Sequence, residues 1–197
     1  MSLCPVDPSN SSVAVSGISI NGAQTDIGLR ASQESDREFL HAVFASTRTE
    51  EFANAGWGAG EISALLASQF EIQDAYYRRH NPRARFDVIL SGAAPIGRLY
   101  HDWSGSEARV IDIALLPQHR GAGIGGRLMH ALVAGAAERG MPVSLYVEIH
   151  NPVRSLYGRL GFVATGESGI YVQMRREAAP FDGEREESIT GLETSAA

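Results

Sequence analysis

A single cysteine, Cys4, occurs in the 197 residues, which excludes an internal disulfide and a metal site built on cysteines. The six histidines show no paired spacing of the His-x-x-x-His kind, so no metal site follows from them. No apolar run approaches the length needed to span a bilayer, and no membrane partner is expected. Acidic residues outnumber basic ones by 23 to 17. The resulting formal charge of −6 argues against a general nucleic-acid binder, which neutralises phosphates with clustered cations. Leu3-Cys4 follows neither a basic segment nor an apolar run, so no secretory or lipoprotein signal is read there. The protein is expected in the cytoplasm.

What is present reads as an ordinary globular chain, 44% hydrophobic and 20% charged. Its length suits one domain with a substantial core. Residues 1–24 are rich in Ser, Asn, Gly and Pro and are expected to form a mobile leader. Residues 177–197 are polar and acidic and are expected to be a disordered tail. The folded domain is expected over residues 25–176.

The informative stretch runs from Ile111 to Gly126. It begins as an alternating, β-branched strand, which Pro117 ends because it has no N–H for the ladder. Arg120-Gly121-Ala122-Gly123-Ile124-Gly125 follows as a glycine-rich turn, and Leu128, Ala131, Leu132 and Ala136 then recur at helical spacing. A strand, a glycine turn and a helix N-terminus together favour an anion, because backbone N–H groups approach it closely and the helix dipole is positive there. The turn ends Gly125-Gly126-Arg127, without the Gly-Lys-Ser/Thr of a nucleotide P-loop. Gly121-x-Gly123-x-x-Gly126 fits a dinucleotide pattern, but no acidic ribose ligand ends a following strand. A tight structural turn without a ligand is the remaining alternative.

Along the chain, residues 26–30 read as a strand, and Ser32 or Ser35 as the cap of a helix burying Phe39, Leu40, Val43 and Phe44. A second helix carries Ile62, Leu65, Leu66, Gln69, Ile72 and Tyr76 on one stripe. Strands over residues 86–90, 95–103 and 109–116 are separated by Ser91-Gly92 and Ser104-Gly105, the punctuation of antiparallel hairpins. The helix behind the glycine turn stops at Gly140, with Pro142 beyond it. A strand over residues 143–147, a helix over residues 152–160 and two short strands near Phe162 and Tyr171 complete the order βααβββαβαββ. That order gives an α/β fold with a mixed, mostly antiparallel sheet.

Two motifs in this order resemble those of the GNAT N-acetyltransferase superfamily. One is Arg-x-x-Gly-x-Gly in Arg120, Gly123 and Gly125. The other is Val147-Glu148-Ile149-His150-Asn151 followed by Leu156-Tyr157-Gly158-Arg159-Leu160-Gly161-Phe162. Asn151 and Tyr157 stand one residue closer than the family commonly has them, which bears on Asn151 more than on Tyr157. The resemblance implies a GNAT-like sheet splayed between its fourth and fifth strands, with acetyl-CoA as co-substrate and no metal. It places the backbone of Ala114, Leu115 and Leu116 against the pantetheine, with the N–H of Leu115 or Leu116 holding the oxyanion. Arg120, Gly121, Ala122, Gly123, Ile124 and Gly125 wrap the pyrophosphate, and Asn151 and Tyr157 complete the cofactor contacts.

Tyr157 suits the general acid that protonates the departing thiol, since a phenol with a pKa near 10 is not ionised at neutral pH. Glu148 is the first candidate for the base and Asp112 the second. His101 and Asp102 read as rim residues. The implied activity is transfer of an acetyl group to a small-molecule or peptide amine, with a homodimer left open. A non-catalytic acyl-CoA-binding module on the same fold is the alternative.

Overall fold

Strand and helix periodicities along the chain resolve into seven strands and four α-helices in a computed structural model that describes residues 26–52 and 56–178. The order is β1 (Ile27–Ala31), α1 (Arg37–Ser46), α2 (Ala59–His80), β2 (Arg85–Ser91), β3 (Ala94–Asp102), β4 (Ala108–Leu115), α3 (Ile124–Ala137), β5 (Val143–Glu148), α4 (Arg154–Arg159), β6 (Val163–Ser168) and β7 (Tyr171–Arg176). This is the expected βααβββαβαββ sequence. The expected leader lies outside the described residues, as does the expected tail beyond residue 178.

One sheet runs β1-β2-β3-β4-β5-β7-β6, and every neighbouring pair is antiparallel except β4 and β5. Those two are parallel because α3 supplies the crossover between them. They pair only at Ala108 with Val143, Arg109 with Ser144 and Val110 with Leu145, and then part. The expected splay between the fourth and fifth strands is therefore present.

Two local features shape the β4 side of that gap. Tyr100 faces Asp112 and His101 faces Val110, so Ile111 is the extra residue of a β-bulge. The bulge puts Val110 in the core beneath α3 while Asp112 joins Tyr100 on the opposite face. Further along, Gly97 of β3 lies opposite Leu115, and a Cβ there would sit 2.3 Å from the Ala114 carbonyl oxygen. Only glycine lets the end of β4 approach so closely.

The sheet separates two apolar clusters. Ile124, Leu128, Met129 and Leu132 of α3 pack on Leu99, Val110, Leu145 and Val147, with Tyr157 and Phe162 closing that core. On the other face Leu40 and Phe44 of α1 meet Leu66, Phe70 and Val88. The buried ridge of α2 is Leu66, Phe70 and Asp74, at successive intervals of four. Ile72 and Tyr76, expected on that stripe, are instead 69% and 57% exposed, because they lie round the helix from the ridge. The start of α1 also differs from the expected serine cap. The Gln33 N–H donates to Asp36 (2.7 Å), and both Nη atoms of Arg30 grip the same carboxylate (2.6 and 2.7 Å). A 3-10 turn over Glu34–Asp36 therefore precedes the helix.

His101 is not a rim residue. It is 1% exposed, with Nε2 3.1 Å from Asp87 Oδ2, and its Nδ1 accepts from Trp103 Nε1 at 2.7 Å. An indole N–H only donates, so the ring is the neutral tautomer that donates from Nε2 to Asp87. Arg85 forks onto the same carboxylate at 3.2 Å from both Nε and Nη2. Burial pushes the Asp87 carboxyl up, but the bonds from His101 and Arg85 outweigh it and hold the carboxyl below its usual value. A depressed carboxyl stabilises the fold above its unfolded pKa and ceases to as pH falls through the folded value. Asp87→Asn is accordingly expected to cost roughly 1–3 kcal/mol in urea unfolding at pH 7, with the difference from wild type shrinking below about pH 4.

Candidate active site

The site is built around the gap between β4 and β5. Leu116 N–H donates to the Ile96 carbonyl at 2.9 Å, which directs that amide toward β3. Amides alternate along a strand, so the Leu115 and Ile113 N–H groups face the opposite way, into the gap. The Leu115 carbonyl accepts from Arg120 Nε at 2.8 Å, and Arg120 Nη2 continues to Ser46 O and Oγ at 3.1 and 2.9 Å. The Arg120 guanidinium thus ties the end of β4 to the last residue of α1, leaving the anion-facing role in the turn to backbone amides.

The turn itself has the form of a cradle. Gly121 and Gly123 have φ of +75° and +76°, a left-handed conformation that suits glycine, and Gly123 is the N-cap of α3. Gly125 is different. Its φ is helical, and a Cβ there would meet nothing within 4 Å. The fold places no demand for glycine at this position, and the space beside it is open to an outside group. The first bond of the helix runs from Arg127 N to Gly123 O, and the amides of residues 124–126 point out of the helix end without a partner among the described residues. A diphosphate fits this set of donors and this open space.

Across the gap, Tyr157 is 5% exposed on α4, its ring 5.8 Å from that of Phe162, and its hydroxyl bonds to no other described residue. Burial, with a smaller contribution from the nearby Asp112 charge, pushes its pKa up to about 12. Asn151 sets the helix that carries it. Its Oδ1 accepts from the Val153 N–H at 3.0 Å, and its Nδ2 has no hydrogen-bond partner among the described residues.

On the α1–α2 face, Asp112 forms an ion pair with the buried Arg98, Nη2 to Oδ2 at 2.5 Å. The approach is off the N–H direction, so that oxygen has no well-directed donor. Arg98 Nη2 also bonds Gln73 Oε1 at 3.1 Å. Glu148 ends β5 and is exposed; Val143, Leu145 and Val147 fill the α3-side core, so Glu148 alternates onto the Asp112 face. Its cross-strand neighbour is Tyr171. Sequence reasoning passed over Arg98, Gly97 and Ser46. The signal for Arg98 was a charge inside a strand buried on both faces, which needs a countercharge. A cleft of about 450 Å³ between α1 and α2, lined by Glu34, Arg37, His41 and Phe70, shares none of these residues.

The family model described as Acetyltransferase (GNAT) family matches residues 49–162, which contain the glycine turn, the parting strands and Tyr157. The chain belongs to the GNAT acetyltransferase family. An uncharacterized N-acetyltransferase of Streptomyces griseus is 33% identical over 89 residues, 41% of this chain and 21% of that relative. The chain thus spans about a fifth of the length of the curated relatives it matches, 21%. Among solved structures, the PaiA N-acetyltransferase of Thermoplasma acidophilum in complex with coenzyme A superposes with a TM-score of 0.58 at 19% identity, over 77% of this chain and 98% of that one. A spermidine N-acetyltransferase SpeG chimera from Vibrio cholerae gives 0.55 at 20% identity, over 77% and 95%. At such identities the likeness is one of fold. Among the described residues of this GNAT domain no helix is long and apolar enough to cross a membrane, and no cluster of His, Cys, Asp or Glu is placed to hold a metal.

Gly125→Val is the cleaner probe of the turn, since Gly123→Val would also strain a left-handed backbone. In Gly125→Val the melting temperature without ligand is expected to stay within a few degrees of wild type, while the rise produced by acetyl-CoA disappears. An undiminished rise would make the turn purely structural.

Proposed function

We propose that this GNAT domain transfers an acetyl group from acetyl-CoA to an amine by direct attack, in the cytoplasm. The observation that carries the reading is the gap itself, with the glycine cradle at one end and Tyr157 across it. Acetyl-CoA supplies a thioester, an acyl donor that needs no metal to react with a neutral amine. The unmatched amides of residues 124–126, with the turn from Gly121 to Gly123, hold the diphosphate. The gap-facing backbone of Ile113 pairs with a pantetheine amide, the Leu115 carbonyl being already taken by Arg120. Of the two amides considered for the oxyanion, Leu115 is the one free to donate, because Leu116 already bonds to Ile96.

Tyr157 Oη keeps its proton until the sulfur departs. A pKa near 12 keeps the phenol neutral at every working pH, though it also makes it a weaker acid than free tyrosine. A thiolate forming in the same apolar, anion-repelling surroundings is raised in the same sense, so the transfer stays matched. Glu148, exposed and without an ion pair among the described residues, takes the proton from the attacking amine. Asp112, tethered to Arg98, orients that amine and opposes ionisation of Tyr157.

Tyr157→Phe keeps the ring packed against Phe162 and removes one proton donor. Acetyl-CoA affinity by calorimetry is expected to hold, while single-turnover transfer falls by roughly 10²–10⁴. The sign of the shift also fixes the alkaline behaviour. A raised phenol pKa stabilises the fold below the unfolded value near 10 and is lost as pH climbs toward the folded value. Any alkaline loss of rate from Tyr157 ionisation therefore falls near pH 12 rather than near 10. Transfer unchanged in Tyr157→Phe removes the residue from the chemistry. Tight acetyl-CoA binding with no transfer to any amine points instead to a non-catalytic binding module.

A further inference from the structure

The sheet face beneath α1 and α2 carries two arginines that the acetyl-CoA seat proposed above does not include. Arg98 and Arg48 both pack against the Phe44 ring, their guanidinium carbons 5.8 and 5.1 Å from its centroid. The Arg98 side chain is 4% exposed and its Nε has no partner, nor has the hydroxyl of Tyr100, a residue 1% exposed. Arg48 Nε is likewise buried and unmatched, and its Nη1 stands 3.7 Å from the exposed Glu51. Tyr77 meets Tyr100 edge-on at 6.1 Å between ring centres, and its hydroxyl feels Arg98, Arg48 and Asp112 together. Toward the gap the same face is acidic, with Asp112 and Glu148. The charges are thus ordered along the face, carboxylates beside Tyr157 and a guanidinium following α1.

An acceptor that suits this order is itself dipolar. A polyamine would bring further cations against Arg48 and Arg98, where they repel. A simple arylalkylamine would bury against Phe44 and leave the Arg48 Nε unmatched, at the cost of an unpaired donor. A carboxylate accepts from a guanidinium fork in the plane it presents. Resting on the acetyl-transfer reading above, we propose that the acceptor is an amino acid or close analogue, its amine between Asp112 and Glu148 and its carboxylate on Arg48. Arg98 is a positioning residue here, holding Asp112 in place rather than binding the acceptor.

The test pairs each amino acid of a panel with its decarboxylated amine, such as phenylalanine with phenethylamine, and adds spermidine. Steady-state acetylation is measured for wild type, Arg48→Gln and Arg48→Lys. Wild type is expected to favour the amino acid by roughly 10–100-fold in kcat/KM, the size of a charge-assisted pair. Arg48→Gln should cost the amino acid roughly that much more than it costs the decarboxylated amine, chiefly through KM, and Arg48→Lys should restore part of the preference. Wild type favouring spermidine or the decarboxylated amines overturns the inference, as does an equal loss for both members of a pair. If wild type acetylates no amine, the acetyl-transfer reading fails, and the seat is read by binding. A melting-temperature rise from N-acetylphenylalanine that is lost in Arg48→Gln upholds the carboxylate seat, and no rise in wild type overturns it.

Discussion

The structure depends on the point where β4 and β5 stop pairing. A parallel pair in the middle of a sheet would ordinarily continue its ladder, since unpaired backbone groups there are costly. Here pairing ends after Val110 and Leu145, and several separate features keep it from resuming. The bulge at Ile111 turns the strand, Gly97 lets its end draw toward β3, and Pro117 has no N–H to extend the ladder. Arg120 then fastens the Leu115 carbonyl to Ser46 at the end of α1. The unpaired edge that results is a strand-shaped vacancy with its own donors. An extended ligand bearing amides is the natural complement.

The bulge also divides the chemistry between the two faces of the sheet. Val110 belongs to the core under α3, while Asp112, two residues later, belongs to the opposite face with Arg98, Tyr100 and Tyr77. The buried Arg98–Asp112 pair draws stability from neither ion alone, because each would be costly without the other. Its consequence for the site is electrostatic. Burial and the Asp112 charge together raise the neighbouring phenols, Tyr157 and Tyr100 to about 12. The chain contains no lysine at all; its 17 basic residues are arginines. Every guanidinium in the interior therefore stays protonated, and the chain carries no ε-amine of its own.

Most of the architecture was legible because it rests on local signals. Glycine and proline punctuate the hairpins, and the periodicity behind the turn switches from strand to helix at Gly123, the N-cap. The two motifs coincide with the gap and with Tyr157. What the sequence hid is what depends on partners distant along the chain. Ile72 and Tyr76 satisfy a helical stripe, yet only tertiary packing chooses the Leu66–Phe70–Asp74 ridge. His101 looks like a strand-end residue until Asp87 and Trp103 are brought around it. Arg120 carries the motif, but its bond to Ser46 joins residues 74 apart. The face that carries Arg98 and Asp112 is assembled from α1, α2, β3, β4 and β5, so no single stretch announces it.

The central claim is that the unpaired edge of β4 and the glycine turn form one continuous seat for acetyl-CoA. Backbone amide NMR of the ¹⁵N-labelled protein during an acetyl-CoA titration tests it most directly, because it reads the N–H groups themselves. The largest shifts, with slowed hydrogen exchange, are expected at Ile113, Leu115, Gly121, Gly123, Ile124 and Gly125, while Leu116, already bonded to Ile96, changes least among its neighbours. Saturable binding that leaves these amides unmoved and shifts others elsewhere would contradict the claim.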